Sequence, residues 1–241
     1  MWGSTEPISR ADAAVLSTAG VRSDSTTTAR VDLHLPPRWR LLPTGDHMLP
    51  YYYMPVVGRI YRRRLEMAAR LFGGDGSVAC AVEVGYGSGI LLPELARRAR
   101  RLVGIDQHGE APAVRAMARA EGFEPLLVTG GICALPLATG SVDLLVGLSV
   151  LEHVKALDEA AAEVTRVLRP GGRAVLGYPR VDRLMEVLFP LIGFHGIEQH
   201  HVSTPADIER AFARPLLLEA RRRWPRGPLP LYTVTSWRRP A

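Results

Sequence analysis

The residues best placed to do chemistry fall into three groups: a carboxylate leading into alternating glycines, a second carboxylate one strand later, and a histidine-rich stretch towards the C-terminus. The first group reads Val82-Glu83-Val84-Gly85-Tyr86-Gly87-Ser88-Gly89. It lies between an apolar run at 78–84, which predicts a buried strand, and residues 90–99, which predict a helix. Glycines at alternate positions permit a tight turn and leave no side chain between backbone and ligand. The start of a helix adds unpaired N–H groups and a partial positive charge, so this turn is expected to receive an anionic or polar group.

The second carboxylate, Asp106, ends the run Arg101-Leu102-Val103-Gly104-Ile105 and stands 21 positions after Gly85. A carboxylate about 20 residues beyond such a turn accepts the hydroxyls of a ribose in a strand–helix–strand unit. A nucleoside-containing ligand follows. The nicotinamide-dinucleotide form of the turn needs a glycine where Ile90 stands, and no Gly-x-x-x-x-Gly-Lys-Ser/Thr loop occurs, so nucleoside triphosphate hydrolysis has no support.

The pattern Glu83-x-Gly85-x-Gly87-x-Gly89 instead resembles the first motif of the class I S-adenosylmethionine-dependent methyltransferases. Residues 135–146 and Leu151-Glu152-His153-Val154 resemble the fourth-strand region of that family. Residues 163–173, ending in Pro170-Gly171-Gly172-Arg173, resemble its next helix, turn and fifth strand. The resemblance spans about residues 78–178 in unbroken order. It implies S-adenosylmethionine as cofactor and S-adenosylhomocysteine as product. Gly85, Tyr86, Gly87 and Gly89 would receive the methionine end, with Glu83 close by, and Asp106 the ribose. Gln107 would lie at the adenine edge, Ile132 would pack on the ring, and Leu148 would offer its backbone carbonyl to the cofactor's amino group. One position departs from the family: an Asp that commonly accepts from the adenine amino group is replaced by Gly131. Adenine recognition then falls to backbone groups, to Ile132 or to another side chain.

Methyl transfer from a sulfonium is an in-line displacement with an activated donor, so the protein chiefly aligns the partners and excludes water. A hydroxyl or ammonium acceptor must also lose a proton, and histidine suits that task near neutral pH. Three histidines occur in Phe194-His195-Gly196-Ile197-Glu198-Gln199-His200-His201. His200 and His201 are the first candidates for the general base, with His195 third because Gly196 suggests a turn that carries it to the surface. The spacing matches no zinc motif, and no metal is expected. Among Tyr51, Tyr52 and Tyr53 at least one packs on the core, while another is free to line an acceptor pocket. His153 is placed at the cleft wall or in a structural role, and Arg59 and Arg62–Arg64 are read as a solvated helix face.

These groups need elements to hold them. Strand and helix patterns alternate: strands at 102–105, 125–128, 142–147 and 173–178, and helices at 56–72, 111–121 and 157–168. This predicts an α/β, Rossmann-like, doubly wound and mostly parallel sheet. Residues 216–224 and 229–237 add a terminal antiparallel hairpin. The expected organisation is a structureless tail over 1–30, whose Ser/Thr/Ala-rich composition offsets ordering entropy poorly, and one domain over 31–241. Within it, 31–76 form an N-terminal cover and helix, 77–178 the cofactor core, 179–213 a substrate cover and 214–241 the hairpin.

Composition narrows the partners. The net charge of +6 rests almost wholly on arginine, Lys155 being the sole lysine, and with abundant Ala, Gly and Pro this resembles a genomic bias more than selection for polyanions. Nucleic acid is therefore disfavoured as a substrate. Cys80 and Cys133 form no Cys-x-x-Cys pair and are expected to be reduced. No 18-residue apolar run or signal-like N-terminus occurs, so a cytoplasmic location without a membrane span is expected. The reading is methylation of an oxygen or nitrogen of a small-molecule acceptor, in a biosynthetic pathway such as that of a natural product. The alternatives are an RNA or protein methyltransferase, or a weakly cofactor-binding partner subunit. The oligomeric state stays open, a homodimer included.

Overall fold

The computed structural model describes residues 22–23, 32–41, 49–55, 57–73, 77–180, 202–227 and 229–241. The histidine-rich stretch with His195, His200 and His201 lies outside the described residues, as does most of the expected substrate cover. The elements are β1 (Arg22–Ser23), α1 (Val57–Ala69), β2 (Val78–Val84), α2 (Leu92–Ala96), β3 (Ala99–Asp106), α3 (Ala111–Ala120) and β4 (Leu126–Thr129). They continue with β5 (Val142–Leu148), α4 (Leu157–Val167), β6 (Leu168–Pro179), α5 (Pro205–Phe212), β7 (Leu217–Trp224) and β8 (Tyr232–Arg238).

The strands form one sheet in the order β1-β7-β8-β6-β5-β2-β3-β4. Only β8 runs antiparallel to its neighbours, closing the terminal hairpin between β6 and β7. From β2 the chain winds outward through β3 to β4, and from β5 it winds the other way to β6. The order therefore reverses between β2 and β5, and ligands of open α/β sheets settle beyond the carboxyl ends of the strands at such a point.

Alternation along the strands builds two cores. On β5, Leu144 and Val146 face a cluster with Leu65, Leu92, Leu95, Val114 and Met117 from α1, α2 and α3. Leu145 faces the opposite cluster, with Ala160 and Val164 of α4 and Ile208 of α5. Both faces of the sheet are thus covered, which fits its near-continuous apolar strands.

The elements depart from the sequence pattern in places that have a physical reason. The helix expected over 90–99 shrinks to Leu92–Ala96. Pro93 lacks an N–H and is tolerated only in a first turn, and Ala99 is already paired with Val78 in the sheet. β6 begins at Leu168 rather than 173, because Leu168 pairs with Val142 directly after α4. Within the stretch expected to be structureless, the backbone of Arg22–Ser23 pairs with Ala220 and Arg221 of β7. Among the described residues, no helix is long and apolar enough to cross a membrane.

Candidate cofactor site

The loop after β2, the end of β3, the turn after β4 and the end of β5 all meet at the carboxyl edge of the sheet. Gly85 and Gly89 have φ of 72° and 78°, a region that L side chains rarely adopt. Packing also demands glycine there: a Cβ at Gly85 would lie 2.3 Å from Val150 Cγ2, and one at Gly89 would lie 2.8 Å from Val114 Cγ1. At these two positions glycine lets the loop sit down on the end of β5 and on α3, which is a different reason from the ligand approach expected from sequence.

Asp106 fastens this loop. Gly87 donates its N–H to Asp106 Oδ2 at 2.8 Å, and Gln107 donates its own to Oδ1 at 2.7 Å. The next residue, His108, completes the clip. Its Nδ1 accepts from the Glu110 N–H at 3.0 Å, which leaves Nε2 to donate to the Gly87 carbonyl at 2.9 Å. The ring also meets Tyr86 edge-on, with centroids 4.9 Å apart. Tyr86 itself is buried, its ring lying where a Cβ on Gly104 would be. Sequence reasoning missed His108; its place two residues after the strand-end carboxylate was the available signal.

Glu83 lies on β2 and is only 5% exposed, with Oε2 buried and without a hydrogen-bond partner among the described residues. Burial, and then the charge of Asp106, push its carboxyl well above the usual carboxylate range. An unsatisfied buried carboxylate is costly unless a donor meets it. This orphaned oxygen fits an ammonium group such as the one at the methionine end of S-adenosylmethionine.

Across the cleft, the turn after β4 is held to β3 by a 2.9 Å bond from the Gly130 N–H to the Asp106 carbonyl. Ile132 is buried in the core cluster that contains α4, and Gln107 is exposed, its side chain running over Gly131. Leu148 ends β5, half-buried, with its side chain against Gly177. His153 closes a one-turn 3-10 helix, Leu151–His153, and is exposed.

The tyrosines divide as their burial dictates. They belong to a 3-10 helix, Leu49–Tyr53. Tyr52 is in the core, Tyr51 stacks on Tyr61 at 5.6 Å, and Tyr53 donates to the Pro36 carbonyl at 2.6 Å. The arginine face of α1 is also divided. Arg59 and Arg62 are exposed, but Arg64 turns inward over the rings of Tyr52, Tyr61 and Tyr232, correcting its assignment to a solvated face. Its Nε donates to Tyr52 Oη at 2.8 Å and its Nη1 to Ser149 Oγ at 3.1 Å. Ser149 Oγ in turn lies 3.0 Å from Tyr232 Oη.

This cluster has two unusual members. Ser149 is the one non-glycine residue with positive φ, 57°, among the described residues. Such strained backbone gathers at functional sites. Glu152 is 1% exposed, its Oε2 has no hydrogen-bond partner among the described residues, and burial lifts its carboxyl to about 7 against the opposing pull of Arg64 and Ser149. Arg64 was read with its neighbours as solvated, because one residue in a run of basic side chains carries no mark of facing inward, and Ser149 was not singled out from sequence.

Residues 82–176 match the family described as "Methyltransferase domain". A probable S-adenosylmethionine-dependent methyltransferase of Mycolicibacterium smegmatis is 33% identical over 141 residues, covering 56% of this chain and 51% of that protein. A 37.1 kDa protein of a Streptomyces fradiae transposon is 41% identical over 108 residues, covering 43% of this chain and 31% of that one. The chain thus spans about a third to a half of the length of these relatives. Among solved structures, geranyl diphosphate methyltransferase in complex with its diphosphate and sinefungin superposes with a TM-score of 0.64 at 16% identity, over 77% of this chain and 81% of that one. The N-methyltransferase NodS of Bradyrhizobium japonicum with S-adenosylhomocysteine gives 0.60 at 18% identity, over 83% and 100%.

Residues 82–176 thus match the methyltransferase-domain family, and the sheet has the Rossmann-like fold shared with solved structures of the S-adenosylmethionine-dependent methyltransferase class. The cofactor of the class is S-adenosylmethionine, and Glu83, Asp106 and the loop between them have the chemistry to hold its amino-acid and ribose ends.

Proposed function

We propose that this chain methylates an oxygen or nitrogen of a small molecule with S-adenosylmethionine as donor. The observation that carries the reading is the placement of an orphaned buried carboxylate, Glu83 on β2, and a ribose-type carboxylate, Asp106 at the end of β3, on either side of one fastened loop. When bound, the cofactor supplies a methyl group already activated by its sulfonium, so the chain's work is to orient, to exclude water and to take a proton.

Orientation falls to Glu83 and Asp106, with the Gly85–Val150 contact fixing the loop against the end of β5. Water exclusion is served by Tyr52, Tyr61 and Tyr232 around Arg64, beside the end of β5. The proton acceptor is assigned to the stretch between β6 and α5, to His200 or His201 before His195. Small-molecule acceptors are supported by the solved geranyl diphosphate methyltransferase and NodS, both of the same fold. A biosynthetic setting in the cytoplasm completes the proposal.

The test uses methyl-labelled S-adenosylmethionine with a cell extract divided into small-molecule, RNA and protein fractions. Label in the small-molecule fraction supports the reading. Label confined to RNA or protein would replace it with the corresponding macromolecular activity.

A further inference from the structure

The Gln107 side chain lies directly against Gly131 where the loop after β3 meets the turn after β4. Asp106 pairs with Thr129 in the sheet, and the Gly130 N–H bonds the Asp106 carbonyl at 2.9 Å, so the two turns are tied together immediately beside both residues. A Cβ at position 131 would lie 2.8 Å from Gln107 Nε2. Any side chain there would have to push the Gln107 carboxamide aside. That carboxamide is exposed and makes no hydrogen bond to another described residue. It also follows directly on Asp106, so a base attached to a ribose held by Asp106 would project towards it.

We infer that Gln107 and Gly131 are a mutually dependent pair in which the Gln107 carboxamide, seated in the space that glycine leaves open, reads the amino-bearing edge of the adenine. A carboxamide offers one donor and one acceptor side by side, the arrangement with which Asn and Gln pair with an adenine edge. The assignment rests on the reading of this cleft as an S-adenosylmethionine site. It identifies the side chain that stands in for the absent carboxylate at position 131.

The test is calorimetry with two probes: S-adenosylhomocysteine, and its analogue whose purine lacks the 6-amino group. The wild type should bind the first more tightly than the second by about three- to tenfold, the scale of one net hydrogen bond. In Gln107→Ala that preference should vanish, a change that a merely structural role for Gln107 would not produce. Gly131→Asp should weaken S-adenosylhomocysteine by displacing Gln107, and combining it with Gln107→Ala should return the affinity to within about threefold of wild type, because the new carboxylate can then accept from the amino group. Gly131→Ala gives the same displacement with a smaller side chain should the Asp variant not fold. An unchanged preference between the two probes in Gln107→Ala, or losses that simply add in the double variant, would overturn the pairing. Failure of the wild type to bind either probe would instead remove the cofactor reading beneath it.

Discussion

The backbone N–H of Gly87 donates to Oδ2 of Asp106 at 2.8 Å, so the loop after β2 is fastened to the end of β3 by the carboxylate assigned to the ribose. On the proposed reading this carboxylate has two tasks, one towards the loop and one towards the ligand. His108 reinforces the first task through its 2.9 Å bond to the Gly87 carbonyl.

Removing that reinforcement should cost affinity without touching any ligand group. His108→Ala is expected to weaken S-adenosylhomocysteine binding by about 0.5–1.5 kcal/mol, the net value of a typical hydrogen bond. Calorimetry checks this. Unchanged affinity would show that Asp106 alone holds the loop.

The fate of Glu83 predicts a pH dependence. Its carboxyl is held well above the usual range in the free protein, and a ligand ammonium favours the ionised form. Affinity for S-adenosylhomocysteine should therefore rise with pH as Glu83 ionises. Methylthioadenosine, which lacks the amino-acid end, should show no such rise, and Glu83→Gln should flatten the S-adenosylhomocysteine profile. Parallel profiles for the two ligands would remove Glu83 from the ammonium site.

Much of this architecture was legible in the chain itself, for reasons that differ from element to element. β2, β3 and β5 are short apolar runs bounded by glycine or a carboxylate, and burial on both faces leaves them no other reading. Asp106 was found by spacing alone. The short helix α2 was overestimated because an apolar pattern continues past the point at which Pro93 and the early start of β3 end it. Arg64, Ser149 and Glu152 stayed hidden because their roles depend on contacts across 85 residues of sequence, as between Arg64 and Ser149, which no local pattern encodes. The Gly131 position was legible as a departure, but its relation to Gln107 is a matter of distance and emerges only in three dimensions.

Glu152 gives a second pH dependence, this time in stability. Its folded-state carboxyl titrates at about 7, above the ordinary value of 4.5, so the folded protein binds this proton more tightly than the unfolded chain. The contribution is present at low pH and is lost as pH rises from about 4.5 through 7. Glu152→Gln cannot ionise, so its melting temperature relative to wild type should climb steadily between about pH 5 and pH 8. A difference that stays constant over that range would show that Glu152 is not held protonated.

The most direct test of the central claim is calorimetric titration of the wild type and Asp106→Ala with S-adenosylhomocysteine. The account predicts one ligand per chain in the wild type and a loss of about 1.5–3 kcal/mol in the variant, the scale of hydrogen bonds to a charged acceptor. Absence of binding by the wild type would contradict the cofactor site itself, and equal affinity in the two proteins would contradict its placement on Asp106.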